Sequence, residues 1–195
     1  MRRLSVPDLG GARALVLHRP HATVAALGRQ LSAIGLVHEA HWPDLPASAL
    51  GADFVFFDLD RGHDEQFPWA PGAAPMPTVA LIGSEAPGRV EWALRMGADA
   101  QLLKPVGDHG VYSALLLARS AFEARRAAAG EIEGLRARLG ERQTVVRAVM
   151  LLARGGDDEA AYAELRRLAM EGRVTIEEAA RRVIEGGAHG RRHAR

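Results

Sequence analysis

Apolar residues come in short unbroken runs through the first half of the chain and in steps of three and four through the second half. The runs at residues 14–18, 53–60 and 78–82 are too short for stable helices, so they read as strands buried on both faces. Residues 100–103 form a last strand, and a weak one lies near Val37. Between the strands, Val24, Leu27, Leu31 and Ile34 keep helical spacing over 22–34; residues 89–96 read as another helix, and a short one is expected around 46–50. This alternation predicts an α/β fold of five parallel strands joined by right-handed crossovers. Between Arg61 and Pro77 the chain is rich in Pro, Gly and Ala, so one crossover helix should be shortened or replaced by loop.

From Val111 onward the sequence is almost continuous helix former. Ala128, Ile132, Leu135 and Leu139 step by four, three and four, the spacing of a coiled-coil seam, with Gly130 and Gly134 weakening it. After Gly140 punctuation marks three compact helices. The first stops at Gly155-Gly156, Asp157 caps the second before Gly172, and Thr175-Ile-Glu-Glu178 is a capping box for the third, expected to end at Gly186-Gly187. Four regions follow: an α/β unit over 12–110, a long helix over 111–140, an all-α three-helix bundle over 141–187, and a basic flexible tail over 188–195.

Formal net charge is +1, so bulk charge does not point to nucleic acid. Of 25 basic residues only Lys104 is lysine, which singles it out as a position suited to a compact ammonium. Cysteine is absent, so neither a disulfide framework nor a thiolate metal site is available, which fits a cytoplasmic protein. No apolar run approaches the roughly 18 residues of a membrane span, and Pro7, Asp8 and Gly10-Gly11 stand where a signal peptide needs an apolar core.

In a doubly wound sheet, function collects at the C-terminal strand ends. Asp58 ends the middle strand and Lys104 the last, within MGADAQLLKP at 96–105. Over roughly residues 12 to 120 this resembles the receiver domain of bacterial response regulators, with a flavodoxin-like (CheY-like) fold. The resemblance implies that Asp58 stands at the phosphoacceptor position and Lys104 at that of its lysine partner. Two departures follow. Phosphoryl transfer to a carboxylate needs a divalent cation, which receivers hold with acids after the first strand; here His18 and Arg19 stand there, and a guanidinium adds repulsion. Receivers also carry a Ser or Thr at the end of the fourth strand, where this chain has Ile82, with Ser84 two residues later. Asp58 is therefore expected to be a paired structural acid, bonded to Lys104 or Arg19. The His18/His21 and His38/His41 pairs sit on predicted turns, so no metal site and no cofactor is expected.

Residues 143–184 resemble the ANTAR domain, the RNA-binding module of the AmiR/NasT family of antitermination regulators. The resemblance rests on Ala161-Tyr162, Leu165-Arg166, Ala169-Met170 and the stretch 179–184, with Arg147 at the family's lysine position and Val146 where a small Ala is usual. From 141 to 195 there are eleven arginines and nine acids, a net of +2, so much of this charge is solvated surface. Leu165, Leu168, Ala169 and Met170 are spaced for core burial. Tyr162 is either a core ring with a wet hydroxyl or a platform for an unpaired base. Arg147, Arg154, Arg166, Arg167 and Arg173 are the candidate RNA-gripping guanidiniums. Residues 174–183 also look like the first helix of a DNA-binding helix-turn-helix, but that needs a recognition helix after a tight turn, where the sequence has Gly186-Gly187 and a short basic tail.

The resemblance implies a homodimer that binds stem-loops in a nascent leader transcript without catalysis, governed through an unphosphorylated receiver by a partner such as a ligand-sensing protein. The alternative it leaves is a phosphorylation-dependent regulator using Asp58.

Overall fold

The computed structural model describes residues 8–153 and 156–190, with side chains through Gly186. Arg154, one of the candidate RNA-gripping residues, and the end of the tail, 191–195, lie outside them. The chain divides after Arg126 into two compact units.

The first unit is a five-stranded parallel sheet in the order β2-β1-β3-β4-β5: β1 (Arg13–Leu17), β2 (Val37–His41), β3 (Phe54–Asp58), β4 (Thr78–Ile82) and β5 (Ala100–Leu103). This is the flavodoxin-like order, in which the chain reverses direction across the sheet between β1 and β3. Alternate residues of the buried strands feed two cores. Leu15, Leu17, Val55, Phe57 and Ile82 face one layer, and Val16, Phe54, Phe56, Val79 and Leu81 the other. Against the second layer pack α1 (Ala22–Ile34), through Leu27 and Leu31, and the start of α3 (Val111–Ala153), through Val111, Ala114 and Leu115.

The first layer is covered differently. The helix expected around 46–50 is one 3-10 turn, Ala47–Gly51, and the region 61–77 holds only the turn Asp64–Gln66. Aromatic side chains fill the space instead. Phe67 and Trp92, the latter on α2 (Pro87–Met96), both meet Phe57 edge-on at 5.5 and 5.6 Å. Gly62 lies so close to Trp92 that a side chain there would overlap the indole.

His38 and His41 are corrected from turn residues to residues of β2 itself. Three positions apart on a strand, they face opposite sides. His38 packs on Gly28 of α1, and His41 Nε2 lies 3.4 Å from Glu39.

In the second unit, α3 is followed by α4 (Asp158–Gly172) and α5 (Ile176–Gly190). Two expected breaks are corrected. Helix α3 runs unbroken through Gly140, and α5 continues past Gly186-Gly187 to Gly190. An interior glycine costs a helix only about 1 kcal/mol against alanine, which is not enough to end it. Asp157 caps α4 by accepting from Glu159 N–H at 2.8 Å, and Thr175 Oγ1 accepts from Glu178 N–H at 3.2 Å to open α5. Glu178 turns its own carboxylate to Arg181 and Arg182. Ala148, Leu165, Ala169, Ala179 and Ala180 form the core of this unit. Met170, expected inside, is 70% exposed, because one residue beyond Ala169 turns about 100° away from the buried stripe. Among the described residues, no helix is long and apolar enough to cross a membrane.

Candidate functional site

Two regions gather chemistry, one in each unit. At the C-terminal edge of β1, β3 and β5, a cleft of about 300 Å³ is lined by His18, Arg19, Asp58, Asp60, Arg61 and Lys104, among others. Asp58 closes the buried run of β3 and is 3% exposed. Lys104, just past β5, places Nζ 2.7 Å from Asp58 Oδ1 and 2.6 Å from Asp60 Oδ2. The Asp60 N–H also donates to Asp58 Oδ1 at 3.1 Å.

Asp60 was not singled out from sequence, yet it ties three strand ends together. Its carboxylate accepts from the N–H groups of Gly83 and Ser84, at 3.0 and 2.9 Å, as well as from Lys104. Burial pushes the Asp60 carboxyl up, but the Lys104 and Ser84 hydrogen bonds outweigh it and hold the group below its ordinary value. The signal was present in the sequence: two acids, two residues apart at a strand end, face a single lysine.

His18 is 3% exposed, and its Nδ1 lies 2.7 Å from the Arg19 carbonyl oxygen. A carbonyl only accepts, so Nδ1 carries a proton. Nε2 is 3.5 Å from Asp58 Oδ2, close enough for a charge contact but not aligned for a hydrogen bond, and it has no other partner. Arg19 is exposed on the rim and does not pair with Asp58. Ile82 packs among Phe57, Trp92 and their neighbours, and only its carbonyl reaches the site region, accepting from Lys104 N–H at 2.7 Å. His21 turns away from metal chemistry: its Nδ1 accepts from Thr23 N–H at 3.2 Å and caps α1. Among the described residues no group of three or more His, Asp or Glu side chains is placed to hold a metal ion.

The second region is an open groove of about 530 Å³ lined by residues of α3, α4 and α5, among them the apolar Val145, Val146 and Ile176. Tyr162, 45% exposed, stands on one wall and Arg138 and Arg142, one turn apart on α3, on another. These two arginines escaped notice because only the packing of α3 against its neighbours brings them beside Tyr162. Arg166 lies one turn past Tyr162 on α4, exposed, and Arg147 is exposed on α3; neither forms an ion pair among the described residues. Arg167 differs. Glu164 and Glu171 both bind its guanidinium, one turn away on each side, and these bonds push its proton affinity further up. Arg173 ends α4 in the left-handed region, at φ 50°.

The family described as AmiR, N-terminal, matches residues 12–119, more than half of the chain, and the ANTAR domain matches 133–184. No curated protein matches. Solved structures similar to the chain include a response regulator from Thermotoga maritima, at 17% identity, covering 56% of this chain and 98% of that one with a TM-score of 0.45. Another is the signal receiver domain of the response regulator NarL from Mycobacterium tuberculosis, at 23% identity, 55% and 94% coverage and a TM-score of 0.42. A third, a CheY-like protein from Mesorhizobium loti, has 15% identity, 55% and 98% coverage and a TM-score of 0.45.

Proposed function

The chain belongs to the AmiR/NasT family of response regulators, and from that membership we propose that it is a cytoplasmic transcription antitermination regulator whose C-terminal module binds stem-loops in nascent leader RNA. The observation that carries this is the ANTAR match over 133–184, within which half-exposed Tyr162 lines one groove with Arg138 and Arg142. An unpaired loop base stacks on such a ring, while guanidiniums hold the flanking phosphates. Arg147, Arg166 and Arg173 add cations on the same module. The protein does this without catalysis: holding one RNA fold shifts the population away from the terminator hairpin. The working division is a receiver-like unit over 12–110, a linker helix over 111–140, an RNA-binding module over 141–187 and a tail over 188–195. Exposed Ile132, Leu135 and Leu139 support a homodimer paired along α3, because a free helix does not leave such a stripe in water without cost.

Control then comes through a receiver that is not phosphorylated, by a partner or ligand sensor. The support is the set of side chains around Asp58. Lys104 engages both Asp58 and Asp60, and His18 and Arg19 stand where a magnesium site needs carboxylates. The competing reading, phosphorylation of Asp58, is favoured by the same 2.7 Å pairing with Lys104. Intact-mass measurement after exposure to acetyl phosphate and Mg²⁺ separates the two: a phosphoryl adduct that disappears in Asp58→Asn establishes phosphorylation. A gel shift with the leader RNA of the chain's own operon tests the RNA reading. Binding should weaken steeply with salt and require the hairpin loops; a protein that ignores every hairpin offered is not an antiterminator of this kind.

A further inference from the structure

Helix α3 carries one stripe of residues with two different covers. Counting back from Leu139, Leu135, Ile132 and Ala128 in the same steps of three and four gives Arg125, Ala121, Ala118, Ala114 and Val111. Val111, Ala114 and Ala118 are buried in the core of the first unit, whereas Ile132, Leu135 and Leu139 are exposed. A seven-residue repeat drifts only about 20° per heptad on a straight helix, so Ala118 and Ile132, two heptads apart, lie within about 40° of each other. The stripe therefore changes its cover between them.

Arg125 stands at the change and is the one charged residue in the stripe from 111 to 139. Its Nη2 donates to Asp99 Oδ1 at 2.9 Å, and its Nη1 donates to the Gly72 carbonyl at 3.2 Å. The guanidinium also lies 5.4 Å from the ring centroid of Phe122, one turn back on α3. Asp99 is a firm anchor: its side chain is 4% exposed, and its other oxygen accepts from Thr78 N–H, at the start of β4, at 3.0 Å. Gly97 closes tightly on the same spot, since a Cβ there would lie 3.2 Å from Gly72 Cα and 3.4 Å from Arg125 Nη1. Withdrawing Arg125 would leave the buried Asp99 carboxylate without its counter-ion, which opposes release. A charged residue on a pairing seam also weakens association there.

We propose that Arg125 is a latch on the interface with a second copy of this chain. Closed on Asp99 and Gly72, it keeps the heptad 119–125 on the first unit and starts the pairing seam at Ala128. Open, it releases that heptad, with Ala121 and position 125, to a second α3. The latch rests on the α3 homodimer proposed above and adds where that interface begins and what sets its length.

The test uses the full chain and two readouts, amide hydrogen exchange over 119–126 and the dimer dissociation constant from sedimentation equilibrium. Arg125→Ala opens the latch, so exchange over 119–126 should quicken by roughly tenfold or more, the loss of one hydrogen bond to a charged group, while the strands keep their protection. Arg125→Leu combined with Asp99→Asn opens the latch and completes the seam, and the dissociation constant should fall roughly tenfold as a leucine from each copy is buried. Asp99→Asn spares this variant a buried unpaired charge, and circular dichroism checks the fold of both. Unchanged exchange in Arg125→Ala, or a double variant that dimerises no more tightly than the parent, overturns the latch and leaves the homodimer standing. A parent that stays monomeric at every concentration overturns both.

Discussion

Asp58 and Arg166 are both single charges on short elements, and they differ in what the protein does with them. Asp58 is 3% exposed, with one oxygen bound by Lys104 and by the Asp60 N–H. Arg166 stands in solvent on α4, with no ion-pair partner among the described residues. The charge of Asp58 is drawn inward and matched by Lys104, whereas that of Arg166 is held on the surface, where a polyanion can reach it. The same contrast recurs inside the second unit. Arg167 is one residue from Arg166, but Glu164 and Glu171 hold it. Charge count alone therefore says little about a binding surface, and commitment of each group to an internal partner says more.

The strongest way to break this comparison is to remove the lysine. Lys104→Met leaves Asp58 charged and buried without its counter-ion and should cost about 3–5 kcal/mol of the first unit's stability, read by urea denaturation. Adding Asp58→Asn and Asp60→Asn to that variant should recover part of the loss. RNA affinity measured well below the unfolding midpoint should stay unchanged throughout.

Next in size is Tyr162→Ala, which should weaken leader RNA binding by about 1–3 kcal/mol in a gel shift while leaving Tm unchanged, because the ring is half-exposed. Arg166→Ala should lower the slope of log K against log salt by about 1.

A smaller effect comes from acid. Asp60 has a folded pKa below its ordinary 3.8, so the stability it contributes is present above that value and is lost as pH falls through the folded one. Asp99 has the opposite sign. Burial pushes its carboxyl up despite its bonds to Thr78 N–H and Arg125, so its cost is relieved as pH falls through the raised value. Urea midpoints of Asp60→Asn and the parent should therefore converge below about pH 4 and separate above it. The smallest effect expected is on RNA binding by Arg167→Ala, within about 0.5 kcal/mol of the parent. A large loss there would show that the Glu164 and Glu171 bridges open for RNA.

Much of the architecture was legible because local chemistry and global packing agree. Helix α1 was read at 22–34 from four apolar residues at helical spacing, and it ends at Gly35, whose φ of 95° is a true left-handed cap. Gly97 ends α2 in the same way, at φ 84°. Gly140 and Gly186 look identical in sequence but stay helical, since glycine permits the left-handed turn without requiring it. Strand β2 was weak on paper because it is an edge strand, with Val37 58% exposed. In the site, Asp58 and Lys104 were visible as strand ends. The role of Asp60 depends on the Gly83-Ser84 loop approaching from β4, and the Tyr162 groove on three helices meeting, neither of which has a linear signature.

Arg173 offers an experimental opening. It caps α4 at φ 50°, a backbone shape that disfavours every side chain and suits glycine. Arg173→Gly thus deletes a guanidinium while relaxing the turn that carries it, a combination in which a drop in affinity cannot be blamed on damaged architecture.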